Sequence, residues 1–145
     1  MIDDTQELKS KNTRLTTTKK TILTCLIEQK KPLDYRQIES FLDSRGIKVN
    51  KTTIYRQLDQ LQIKGIIQEL DFGEGKKRYE IISKHHHHLI CTACNKIECV
   101  NFEEDFNSQE AEISQYTNFR ITGHMFEFLG ICGKCQNKTG KIKHA

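Results

Sequence analysis

Two Cys-x-x-Cys pairs, Cys91/Cys94 and Cys132/Cys135, stand far apart in the chain, and a run of histidines, His85 to His88, leads directly into the first pair. Thiolates and imidazoles are the ligands that zinc and its soft neighbours prefer. Four thiolates gathered by a fold make a closed tetrahedral zinc site with no open coordination position, so Cys91, Cys94, Cys132 and Cys135 are expected to hold a structural zinc. The histidines offer something different. Side chains alternate faces along a strand, so His86 and His88 point one way while His85 and His87 point the other, and two separate ions can hang from one strand.

These residues need elements to carry them. At 145 residues the chain can form one ordinary domain or two small ones, and an α+β arrangement of two is expected, residues 1–84 and residues 85–145. No apolar run approaches a membrane span, and the opening Met-Ile-Asp-Asp-Thr-Gln-Glu lacks the basic-then-apolar order of a signal peptide. A cytoplasmic location follows, where paired cysteines mean metal more often than disulfides. The net charge of +4 is unevenly spread: residues 1–84 carry 17 Lys+Arg against 12 Asp+Glu, and residues 85–145 carry 6 against 7. The basic half is the one to test against nucleic acid.

In that half, Thr16 to Gln29 places Ile22, Leu23, Cys25 and Leu26 at helical spacing behind a Thr-rich start, which makes Cys25 a buried core thiol. A second helix opens with Asp34 and Gln37 in capping-box order, carries Tyr35, Ile38, Phe41 and Leu42, and stops at Gly46. The third, Lys51 to Lys64 behind Asn50, buries Ile54, Leu58 and Leu61 and so turns Thr52, Arg56 and Gln60 outward with Tyr55 on the flank. Arg can read a guanine edge and Gln an adenine, while hydroxyls hold phosphates, so this is the expected recognition helix. Ile66 to Asp71 and Lys77 to Ile82 then read as a hairpin around Phe72–Lys76, tipped with Lys76, Lys77 and Arg78. Three helices followed by a basic hairpin make a winged helix-turn-helix; a small helical domain with an ordinary solvated face is the plainer alternative.

In the second half, Lys96 to Phe102 reads as a strand returning antiparallel to the His/Cys strand, and Glu104 to Tyr116 as an amphipathic helix. Phe119 to Thr122 and Met125 to Ile131 read as two further strands, and Gln136 to Ala145 as a disordered tail. So small a sheet under one helix leaves apolar surface that a second copy can hide, and a homodimer is expected.

Thr52-Thr53-Ile54-Tyr55-Arg56, the hairpin ending Arg78-Tyr79-Glu80, the stretch from His85 through Cys94, and Gly123-His124 leading to Cys132-Gly133-Lys134-Cys135 resemble the ferric uptake regulator family of bacterial metal-sensing repressors, from Leu15 to Cys135. The resemblance implies an amino-terminal winged-helix domain that binds operator DNA, a carboxy-terminal dimerisation domain, a structural zinc on four cysteines and a regulatory metal at the junction. The DNA face would comprise Thr52, Thr53, Tyr55, Arg56, Gln60, Lys76 and Lys77. The regulatory ligands would be Glu80, His86 and His88, with Cys99 where some members place an acidic residue. The histidine that the family often adds near the second helix is absent, Lys31, Pro32 and Leu33 standing there, and Asp71 is a reserve ligand. Thiolate with imidazole favours zinc over ferrous iron or manganese. A second site would use His85, His87 and His124, with Asn107 where a glutamate is usual and Glu104 as a stand-in.

The expected function is therefore a metal-responsive repressor of metal-uptake genes, not an enzyme, with neither a membrane nor a small organic substrate as partner. A zinc hydrolase or deaminase is the first rival, but no H-E-x-x-H occurs and neither cysteine pair follows a proline. A constitutive DNA-binding protein with purely structural zinc is the second, and only metal-dependent DNA affinity separates it from a sensor.

Overall fold

The computed structural model describes residues 15–102 and 106–138, which divide after Ser83 into two compact units. In the first, three helices, α1 (Thr17–Gln29), α2 (Tyr35–Ser44) and α3 (Lys51–Ile63), combine with a sheet of β1 (Leu33–Asp34), β2 (Ile67–Asp71) and β3 (Lys77–Ile81) in the order β1-β3-β2, all antiparallel. Each helix starts on a side-chain cap that satisfies an otherwise orphaned amide. Thr16 accepts from the Lys19 amide, Asn50 from Thr53, and Asp34 forms a full capping box with Gln37.

The two later helices end alike. Gly46 and Gly65 take positive φ, +74° and +63°, so that the amides of Ile47 and Ile66 reach back to the carbonyls of Leu42 and Leu61, both at 3.0 Å. A residue with a Cβ is disfavoured in that left-handed turn, and the apolar residue after each glycine drops onto the core. The core is continuous: Ile22, Leu26, Ile38, Leu42, Ile54, Leu58, Leu61, Ile67 and Tyr79 are all buried in one cluster, with Cys25 among them and its thiol pushed up to about 11 by burial and then by Glu28.

The hairpin differs from the sequence expectation at its base. Arg78 does not tip the wing; it is 4% exposed, its Nε and Nη2 donating to the Glu74 carboxylate at 2.8 and 3.0 Å and its Nη1 to Gln37. Alternation explains this, because β3 pairs Arg78 with Leu70 and Asp34 rather than leaving it beyond the sheet. The short β1 was not visible in the sequence, since two residues carry no periodicity.

The second unit is thinner. β4 (His87–Cys91) lies between antiparallel β5 (Ile97–Val100) and parallel β6 (Glu127–Gly130), with α4 (Asn107–Thr117) and the short α5 (Gly133–Lys138) beside them. No strand forms at Phe119–Thr122, where the chain is irregular after the left-handed Asn118, so that expectation is corrected. Gln136 to Lys138 close a short helix instead of opening the expected disordered tail, and residues 139–145 lie outside the described residues. Neither helix buries a residue and every position of β6 is exposed, while Ile90, Cys91 and Ile97 are the apolar residues this unit buries among the described residues. No helix among the described residues is long and apolar enough to cross a membrane.

Candidate metal centres and nucleic-acid face

Two turns build the cysteine cluster. The Cys91 carbonyl accepts the Asn95 amide at 2.8 Å across a turn closed by the left-handed Asn95, and the Cys132 carbonyl accepts the Cys135 and Gln136 amides, both at 2.9 Å, as α5 begins. Parallel pairing of β4 with β6 then brings the turns together, and Cys91, Cys94, Cys132 and Cys135 all place their sulfurs within 4.8 Å of one another. The Cys94 and Cys132 sulfurs lie 3.7 Å apart, and a tetrahedron with 2.3 Å zinc–sulfur bonds has edges of about 3.8 Å.

The electrostatics fit a cation as well. The Cys132 amide donates to Cys91 Sγ at 3.2 Å and leads the backbone contacts that hold that thiol down to about 6. Cys135 is pushed up to about 12 by hydrogen bonding with the Cys132 and Cys94 sulfurs. Sulfurs this close compete for protons until a cation ionises them together. The donor set therefore suits a structural zinc.

On β4 the alternation sorts the histidines. His88 sits opposite Cys99 in the antiparallel register, and the potential ligand atoms of His86, His88 and Cys99 lie within 4.8 Å of one another. His86 Nδ1 lies 3.0 Å from the Lys84 carbonyl, an anchor that makes Nδ1 the donor and leaves Nε2 for a metal. Two imidazoles and a thiol form the donor class that suits zinc. In the first unit, Glu80 lies on β3 opposite Gln68, whose Nε2 donates to its carboxylate at 2.7 Å. Asp71, the reserve ligand, accepts the Gly73 amide at 2.8 Å and shapes the wing turn.

The opposite face of β4 gathers His85 and His87 with His124, again within 4.8 Å. His124 Nε2 lies 3.0 Å from His85 Nε2, and His87 Nδ1 lies 3.2 Å from the Phe126 carbonyl. Desolvation, followed by the neighbouring histidines, holds His85 below its ordinary value, the direction that favours a ligating imidazole. Glu104 lies outside the described residues. Glu110, which sequence reasoning missed, stands 2.7 Å from His124 Nδ1. Its signal was available: Glu110 is three residues beyond Asn107 and so shares its helix face. Also missed were the rings around these histidines, Phe102 stacked on His87 at 4.5 Å and Phe106 against His124 at 4.9 Å.

In the first unit, α3 exposes Thr52 and Arg56, with Thr53 and Tyr55 half-buried beside them. Tyr55 stacks on Tyr35 at 5.1 Å, and Lys51 Nζ lies over both rings. Gln60 is exposed, but its amide oxygen accepts from Lys19 Nζ at 2.8 Å, an ammonium carried by a residue only 4% exposed. That bond ties the Gln60 side chain to α1 while its amide nitrogen and a second lone pair of its oxygen can meet other partners. On the wing, Lys76 pairs with Asp34 at 2.8 Å and Lys77 with Glu69 at 2.8 Å.

A helix-turn-helix with a wing, joined in one chain to a unit that gathers thiolates and imidazoles, defines a metal-responsive transcriptional regulator. The chain belongs to the ferric uptake regulator family, whose model matches residues 10–129. It is 36% identical to the ferric uptake regulation protein of Campylobacter jejuni over 99 residues, 67% of this chain and 62% of that relative. It is 30% identical to the peroxide-responsive repressor PerR of Staphylococcus aureus over 132 residues, covering 90% and 88% of the two chains. The crystal structure of the Vibrio cholerae ferric uptake regulator superposes with a TM-score of 0.72 at 27% identity, covering 90% of this chain and all of that one. Members of this family are transcription regulators, not enzymes.

Proposed function

We propose that this protein is a zinc-responsive repressor that binds operator DNA as a metal-loaded homodimer and controls metal-uptake genes. The observation that carries the choice of zinc is Cys99, set opposite His88 and beside His86, because a thiolate in the ligand set favours zinc over ferrous iron. Glu80, a buried carboxylate six residues before His86, is the fourth ligand of this regulatory site. The four-cysteine cluster is the structural site. Zinc held by Glu80, His86, His88 and Cys99 would supply bonds from the end of the wing strand to the strand that follows the unit boundary. Binding shifts the protein toward the DNA-competent arrangement only by its differential affinity for that arrangement.

The DNA face is Thr52, Thr53, Tyr55, Arg56 and Gln60 on α3, with Lys76 and Lys77 on the wing held ready by carboxylate partners that phosphates can displace. Residues 1–84 form the DNA-binding domain and 85–145 the metal-binding dimerisation domain. Leu129 and Met125, 70% and 76% exposed, belong to the face that the second copy covers. His85, His87 and His124 form a second exchangeable site.

The test selects a duplex from random-sequence DNA with zinc-loaded protein and follows its binding as zinc, ferrous iron and manganese are titrated. Zinc is expected to act at the lowest free concentration, and Cys99→Ser to erase its advantage over iron. Equal DNA binding by chelator-treated protein that still holds one zinc per chain would reject sensing altogether.

A further inference from the structure

The second histidine cluster contains a carboxylate in an unexpected place. Asn107 opens α4, and one turn on, Glu110 meets His124 Nδ1 at 2.7 Å with both side chains partly shielded from water. A carboxylate accepts only, so Nδ1 of His124 donates to Glu110, and Nε2 is the His124 nitrogen turned toward His85 Nε2, 3.0 Å away. The carbonyl of Phe126 fixes His87 in the same sense by accepting from its Nδ1. One ligand nitrogen from each of His85, His87 and His124 lies within 4.8 Å of the others, and the His87 and His124 rings are each held by an acceptor at Nδ1. That is how outer carboxylates and carbonyls orient imidazoles around a metal. An exposed His–Glu contact with nothing on the other side of the ring would have little value by itself.

We infer that Glu110 is a positioning residue of a three-imidazole site for a zinc-class divalent ion, holding His124 in the ligating tautomer from outside the coordination sphere. This rests on the reading of His85, His87 and His124 as an exchangeable site, and it departs from the sequence expectation that a carboxylate at Glu104 would be a direct ligand. With neutral nitrogens as the donors and the carboxylate set behind one of them, the site favours zinc over manganese, which prefers oxygen ligands. It also ties α4 to β4: Glu110 is on the helix, His85 and His87 are on or beside the strand, and His124 is on the irregular segment between α4 and β6.

The experiment measures zinc affinities of the full-length protein by chelator competition, with the four-cysteine site filled. Parent protein should bind two further zinc ions per chain. Glu110→Ala should weaken one of them by about 10–100-fold, the usual cost of losing an outer-sphere partner. It should be the same ion that His124→Ala abolishes, while the ion abolished by His88→Ala is unchanged. NMR should show the hydrogen-bonded Nδ1–H proton of His124 in the parent and its loss in Glu110→Ala, a signature that mere helix destabilisation does not give while α4 stays folded. Two exchangeable ions with parent-like affinities in Glu110→Ala would overturn the inference alone. Only one exchangeable ion in the parent would overturn it together with the second site, leaving zinc sensing at His86, His88 and Cys99 standing.

Discussion

The two units solve the problem of staying folded in opposite ways. The winged unit buries a continuous apolar cluster drawn from all three helices and the sheet, and its helix ends are satisfied by side-chain caps and glycine turns. The second unit buries few apolar side chains, exposes β6 throughout, and concentrates its buried polar groups at His87 and His88. Small domains without a sufficient core depend on metals or on partners. Under the proposed function, the first unit is a pre-folded reading head, and the second a structure whose order is expected to depend on ions and on a second copy. That division suits a sensor, because the responsive part is the one with least stability of its own.

The sharpest way to break the comparison is to remove the structural ion. Cys94→Ser should abolish the four-cysteine site and unfold the second unit, since structural zinc supplies folding free energy directly, on the order of 10 kcal/mol in small zinc domains. Hydrogen exchange should then show protection lost over residues 87–130 but kept in α1 to α3. Protection lost equally in both units would show that their stabilities are not separate.

Leu58→Ala asks the reverse question. This fully buried side chain should cost the winged unit about 4 kcal/mol in denaturant unfolding, with zinc content unchanged. Glu74→Ala should cost about 3 kcal/mol by leaving the Arg78 guanidinium buried without its carboxylate. The Arg78 hydrogen bond holds Glu74 below its ordinary value, so its stabilisation is present above the unfolded carboxylate range and is lost as pH falls through the lower folded value. Stability of the parent should therefore fall more steeply on acidification than that of Glu74→Ala. The smallest effect belongs to Asn50→Ala, about 1 kcal/mol from the lost cap on α3, read from the same unfolding curves.

The same contrast decides what was legible in the sequence. In the winged unit the signals are local: caps three residues from their amides, glycines after helices, and a stripe of Ile54, Leu58 and Leu61 that burial follows. In the second unit the informative signals were chemical. Strand alternation separated His86 and His88 from His85 and His87, and the spacing of the cysteines marked their cluster. Other features escaped: the parallel pairing of β4 with β6, the absence of a strand at Phe119–Thr122, and the approach of Glu110 to His124 across fourteen residues. Gln60 shows the same limit in the first unit, because its partner Lys19 lies on another helix that spacing alone does not bring near, whereas Arg78 meets Glu74 only four residues away, a pairing that spacing could have suggested.

The most direct test is zinc-edge anomalous diffraction from crystals of the zinc-loaded protein. A peak should stand among Glu80, His86, His88 and Cys99, separate from the one held by the four cysteines. If those side chains point apart with no ion between them while the four-cysteine peak is present, the proposed sensing site is contradicted.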